Sequence, residues 1–269
     1  MMTPLVLALT LVTTPATPSR QMPQPADYVY TFRVTESGKS EVTSGTVRVH
    51  GDRVRIDMDG KHDHGEYLLV TENGTQMLSI HPDRKEIDRI SSPRFEQIIG
   101  TALRTVSPLV KFRVLDPRIS WQRVETGTRV LGYATEHVRI TEQYDVQIAA
   151  MGFDGGTERN VVVTDYWVSP GLDLGRNPLI TLLTNASTAT AQTDRGFVQR
   201  EEDVRAEALQ GTPLHTVVTE TTTKSSGQDR TRTKTRTIDI TSVKQGAQPA
   251  ALFEVPSGYR MKDGANISM

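Results

Sequence analysis

The sequence predicts a mainly β fold with some helix: a large antiparallel sheet that twists and curves around the one or two helices covering its apolar face. Three observations carry this reading. Short segments of alternating apolar and polar residues recur, separated by turn residues, from Tyr28 onward. Only 36% of the 269 residues are apolar, which suits strands with one wet face better than helices covered on every side. Two stretches of helical period interrupt the strands, and each needs a surface to cover.

The elements follow in chain order. Tyr28, Tyr30, Phe32 and Val34 fall on one face of a first strand, Val47 and Val49 continue the pattern, and Val54, Ile56 and Met58 alternate with Arg53, Arg55, Asp57 and Asp59. "EYLLVTE" and "TQMLSI" flank Asn73-Gly74, a pair that supplies the positive φ angles of a tight hairpin, and a strand from Lys85 to Ile90 follows the turn at His81-Pro82-Asp83. At Ser92 the period changes. Ser92 suits a helix cap and Pro93 the first helical position, while Phe95, Ile98, Ile99, Ala102, Leu103 and Val106 recur at three- and four-residue steps until Pro108.

Strand patterns return at Ile119 to Val124, Tyr133 to Ile140 and Asn160 to Val168, with the glycine-rich "MGFDGGT" read as a flexible loop between the last two. A second helical region runs from about Asp194 to Leu209 and stops at Gly211. "TPLHTVVTETTTK" and "RTRTKTRTIDITSV" are two further strands. In the closing "ALFEVPSGYR", residues Val255 to Gly258 fit a type I turn with Gly in fourth position, which brings Phe253 and Tyr259 together so that, with Leu252 and Val255, they cover exposed sheet as a terminal latch.

The N-terminal "MMTPLVLALTLVTTPATPSR" is similar to an export signal. Its apolar stretch is too short to span a bilayer, and Thr14-Pro15-Ala16 suits cleavage. The expected organisation is therefore a signal and flexible lead over 1–26, one domain over 27–262 and a tail over 263–269, with a periplasmic or secreted location. No integral membrane segment is expected. The chain has no cysteine, which excludes disulfides and thiolate metal sites, and a formal charge of −1 provides no field to gather nucleic acid.

No motif commits the chain to a reaction. "DMDGKHDHGE" gathers His62 and His64 with carboxylates, but fails as a calcium loop because Lys61 occupies a ligand position; it reads as a solvated hairpin loop. "SGKS" at Ser37 to Ser40 joins two strands instead of opening a helix and is not a phosphate loop. The expectation is a protein that is not an enzyme, with no catalytic residue, metal or cofactor. "RTRTKTRT" places Arg230, Arg232, Lys234 and Arg236 on one strand face, either a stripe for an anionic partner or charge that blocks edge aggregation.

"LFEVPSGYR", together with "GTVRVHGDRVRIDM", "YLLVTENGTQMLSIHPDRKEI", "DYWVSP" and "QGTPLHTVVTET", resembles a family of exported bacterial proteins of unknown function. That family is in turn similar to the lipoprotein-carrier superfamily, in which a large curved antiparallel sheet forms an incomplete barrel wrapped around helices, and the likeness spans about Tyr28 to Lys262. The resemblance implies an apolar cavity between sheet and helix that accepts acyl chains. Candidate lining residues, named from the pattern, are Phe32, Ile56, Met58, Val70, Ile98, Ile99, Leu103, Trp121 and Trp167. The implied partner is a lipid or another hydrophobic ligand. The alternative is an envelope interaction or stress-sensing module with a filled core and an external protein-binding surface.

Overall fold

The structure, a computed structural model, describes residues 27–60, 65–71, 76–91, 110–150, 153–172, 174, 195–225 and 230–263. The strands are β1 (Tyr28–Glu36), β2 (Thr43–His50), β3 (Arg53–Asp59), β4 (Tyr67–Thr71), β5 (Gln76–His81), β6 (Glu86–Ser91), β7 (Val110–Val130), β8 (Tyr133–Ala150), β9 (Phe153–Ser169), β10 (Thr212–Ser225), β11 (Arg230–Gln245) and β12 (Arg260–Asp263). Among the described residues one helix, α1 (Arg195–Ala208), lies between β9 and β10. The first expected helix, Phe95 to Val106, falls outside the described residues.

All the strands join one 12-stranded sheet in the order β12-β6-β5-β4-β3-β2-β1-β11-β10-β9-β8-β7. Neighbours are antiparallel except β12 with β6. The sheet is open and curved, and it does not close into a barrel. Its curvature is visible in the packing: Val130 and Tyr133 at the β7–β8 tip join the same apolar cluster as Tyr28, Val54 and Val70 from the far side of the sheet.

We call the face that carries α1 the inner face. In the short-strand wing, β1 to β6 and β12, it is built from Tyr28, Tyr30 and Phe32, Val47 and Val49, Val54 and Ile56, and Val70, all buried in one cluster with Leu172, Leu174, Leu214 and Ile240. The strand alternation read from the sequence puts them there. Gly45 is the one gap in that row, and it is required: a Cβ there would stand 2.4 Å from the Asp57 carbonyl oxygen and 2.8 Å from the Phe32 ring. Phe32 therefore lies over a bare stretch of β2.

In the long-strand wing, β7 to β11, even-numbered residues of β8, β9 and β10 face inward. Val138, Ile140 and Tyr166 pack with Ala208, and Tyr144, Val146, Val162 and Val218 pack with Phe197, so α1 covers this part of the sheet. The helix ends where Gly211 has φ 135°, at a point where any side chain would strike the Ser169 carbonyl.

The C-terminal segment crosses the reverse face of the short-strand wing. Phe253, on a single turn of 3-10 helix at Ala250–Phe253, is buried against His50 with ring centroids 5.5 Å apart. Tyr259 packs separately onto Leu69, Leu78, Ile80 and Ile87. These aromatics cover sheet as expected, but at two separate places instead of together, on the face away from α1, and Val255 stays exposed. The turn also differs: Gly258 has φ 76°, which suits the third position of a type II turn and not the fourth of type I.

Two further expectations need correction. The "MGFDGGT" segment is mostly strand, because β8 and β9 keep pairing as far as Ala150 and Phe153. Its Gly156, at φ 89°, lies inside β9, where the register shifts between Gln147 and Ala149 in the partner strand; glycine here serves a sheet irregularity instead of a free loop. The strand at Ile119 to Val124 is likewise part of the 21-residue β7, whose pairing survives three register shifts.

Candidate functional site

The inner face holds most of the candidate lining residues that can be placed. Phe32, Ile56 and Val70 are buried to 1% or less, within the closed part of the short-strand core. Met58 is half-buried at its margin, together with Val34, Leu68 and Met77. Trp121 is half-buried beside α1, with Ile119, Val204 and Leu209. Ile98, Ile99 and Leu103 lie outside the described residues. The inner face thus has two closed cores bordered by apolar side chains that keep some accessible surface.

Trp167 does not belong to this group, because its odd-numbered position in β9 turns it to the reverse face. There it is held between two imidazoles: His137 stacks on it at 4.2 Å with planes 10° apart, and His215 tilts against it at 4.6 Å. Asp165 accepts from His137 Nε2 at 2.7 Å and from Arg139 at 2.8 Å, while Asp239 lies 2.6 Å from His215 Nδ1 and 3.3 Å from Arg33. Cross-strand register lines up His137, Trp167, His215, Asp239 and Arg33 into a single row over β8, β9, β10, β11 and β1. With an imidazole against its ring on either side, Trp167 is a structural tie and not a platform for stacking a ligand.

The stripe Arg230, Arg232, Lys234 and Arg236 keeps its predicted alternation, and it faces inward. Carboxylates are interleaved with it: Arg236 lies 3.5 Å from Glu36, Lys234 stands opposite Glu220, and the neighbouring Lys224 lies 2.5 Å from Glu158. The stripe is therefore a cross-strand ion-pair ladder in part, with Arg230 and Arg232 at its exposed end. A cleft of about 440 Å³ opens between the β7–β8 tip and β11, lined by Leu131, Gly132, Tyr133, Thr241, Ser242 and Val243.

His62 and His64 lie outside the described residues. The described carboxylates near them already have partners: Asp57 takes Arg48 and Arg55, Asp59 takes Ser44, and Glu66 takes His81 and Arg84. Among the described residues no group of three His, Asp or Glu side chains could hold a metal. None of their helices is long and apolar enough to cross a membrane.

One cluster was not anticipated. Glu142 is 1% exposed on the inner face of β8, beneath α1. Arg205 of α1 donates to Glu201 at 2.7 and 3.0 Å, reaches Glu142 at 3.5 Å, and also donates to the Tyr166 hydroxyl. Glu142 Oε2 has no hydrogen-bond partner. Burial, reinforced by the nearby Glu201 carboxylate and only partly offset by Arg205, pushes Glu142 up to about 7. Burial likewise raises Tyr144 and Tyr166. Burial works against the charge of Arg205, but Tyr166, Glu201 and Glu142 outweigh it and raise the guanidinium's pKa. The sequence did carry a signal: in "VRITEQYDV" the charge of Glu142 falls in the apolar phase set by Val138, Ile140, Tyr144 and Val146.

No protein-family model matches the chain, and no curated protein does either.

Proposed function

We propose that this is an exported, non-enzymatic binding protein of the lipoprotein-carrier kind, which holds a lipid or another hydrophobic ligand on the inner face of its sheet. The observation that carries the proposal is the apolar margin of that face. Val34, Met58, Leu68 and Met77 in one wing, and Ile119, Trp121, Val204 and Leu209 in the other, keep accessible apolar surface around cores that are otherwise closed. Methionines suit such a margin because their unbranched side chains adapt to irregular apolar shapes. Binding would draw on apolar area removed from water, at roughly 25 cal/mol per Å² before ordering costs.

Export rests on the leader-like sequence over 1–26, and the carrier assignment rests on the quoted motifs together with the open curved sheet. The test is to purify the protein from its own host, extract it with organic solvent and identify the extract by mass spectrometry. A stoichiometric lipid supports the reading; an extract no different from that of an unrelated exported protein contradicts it.

A second reading, an envelope interaction or stress-sensing module, is favoured by the burial of Phe32, Ile56 and Val70, which leaves no room at those positions for a ligand. On that reading the exposed ends of Arg230 and Arg232 would meet an acidic protein surface. Reversing both charges would then abolish capture of an envelope partner and leave lipid extraction unchanged.

A further inference from the structure

The Glu142 cluster has a physical consequence for the helix above it. Two buried carboxylates, Glu142 from β8 and Glu201 from α1, converge on the single, partly exposed guanidinium of Arg205. The other groups that face it are Tyr166 of β9 and Tyr144 of β8, with Glu220 of β10 acting on Tyr144 from further away. In register, Glu142 pairs with Ile119 of β7 and Val162 of β9, both apolar. Among the described residues Arg205 is thus the one cation that faces Glu142, and one oxygen of Glu142 has no donor there. A proton on Glu142 leaves Glu201 and Arg205 as a balanced pair. Without the proton, an uncompensated negative charge is confined between helix and sheet, which is strongly unfavourable in a medium of low dielectric.

We propose that α1 is a pH-responsive cover, clamped to β8 and β9 while Glu142 holds a proton and loosened when that proton leaves. The sign follows from where the carboxyl titrates. It does so at about 7 when covered, against an ordinary value of 4.5, so the covered state binds the proton more tightly than the released state. The clamp is complete below about 4.5 and weakens as pH rises through 7. Because α1 covers the apolar surface of Val138, Ile140, Tyr144 and Val162, loosening it would bare inner-face area, and under the proposed function that would favour exchange of a bound ligand at the higher pH. The clamp itself does not depend on that reading.

The test uses the ligand-free full chain, so that it is independent of what the protein carries. Amide hydrogen exchange in α1, corrected for intrinsic rates, is measured at pH 5.5 and 8.5 for the native protein and for Glu142→Gln. Native α1 protection should fall by on the order of thirtyfold, the ratio set by a carboxyl that titrates at about 7 when covered and at 4.5 when released. Amides of β1 and β2 should not follow it, and Glu142→Gln should keep α1 protected at both values. A native α1 that ignores pH, or a Glu142→Gln protein with the same fall, overturns the proposal. Carboxyl-carbon NMR on the native protein decides the matter if the variant does not fold: a Glu142 midpoint near 7 supports the clamp, and one in the ordinary carboxylate range refutes it.

Discussion

The two wings of the sheet solve the same covering problem differently. In the short-strand wing Phe32, Ile56 and Val70 close the inner face, and on the reverse face Phe253, Tyr259 and the Leu69–Ile80–Ile87 cluster add apolar cover beside the surface ion pairs of Asp57 with Arg48 and Arg55. In the long-strand wing only the inner face is apolar, and its cover, α1, rests on buried charges as well as on Phe197 and Ala208. The reverse face there is a polar fabric of the His137–Trp167–His215 row and of paired threonines such as Thr221 with Thr233. Non-directional apolar burial is insensitive to pH, whereas a buried carboxylate pair is not. The short-strand wing is therefore expected to be the rigid half, and the long-strand wing the half that responds.

That contrast can be broken from the rigid side first. Phe32→Ala removes a ring buried to 1% from the short-strand core and should cost about 3–5 kcal/mol in denaturant unfolding. An unchanged unfolding midpoint would mean that this wing is not the stable one. Gly45→Ala comes next, at roughly 1–3 kcal/mol, because its new methyl meets the Asp57 carbonyl, a backbone atom that cannot simply swing aside.

A smaller effect concerns the edge of the same wing. Hydrogen bonds from Lys262 and Arg260 push Glu86 down to about 2. The ion pairs that hold β12 on β6 are thus complete above the ordinary carboxylate range and are lost as pH falls from about 4.5 through 2. Exchange at the Arg260 amide, which donates to the Lys85 carbonyl, should accelerate over that acid window, and Glu86→Gln should abolish the dependence. The smallest effect lies at the tip of the responsive wing. Leu131 takes φ 53° beside Gly132 at 83°, a pair of angles that favours Asn-Gly, so Leu131→Asn should stabilise by about 0.5 kcal/mol in thermal unfolding.

The wings also differ in how much the sequence revealed. Strict alternation in "YVYTF" and "RVRIDM" placed Tyr28, Tyr30, Phe32, Val54 and Ile56 on their correct face, because local period determines side-chain direction in a strand. Trp167 stands among the inner candidates although Tyr166 and Val168 already occupy that phase, so the same alternation puts it on the reverse face. "MGFDGGT" suggested a loop because glycine density marks both loops and strand irregularities, and only the cross-strand partner tells them apart. The Glu142–Glu201–Arg205 cluster joins residues far apart in the chain. Its phase was legible, but its partners depend on where α1 crosses the sheet. Val255 and Gly258 show the same limit at the C-terminus, where a one-residue shift of the turn left Val255 in solvent.

The chain contains 2 tryptophans, and the structure places one on each face: Trp121 inside, beside α1, and Trp167 outside, between its imidazoles. Titrating single-tryptophan variants with a brominated fatty acid reads the ligand's location directly, since bromine quenches only nearby indoles. Occupancy of the inner face predicts saturable quenching of Trp121 in Trp167→Phe and an undiminished Trp167 signal in Trp121→Phe. Quenching of Trp167 alone, or of neither indole, would contradict it.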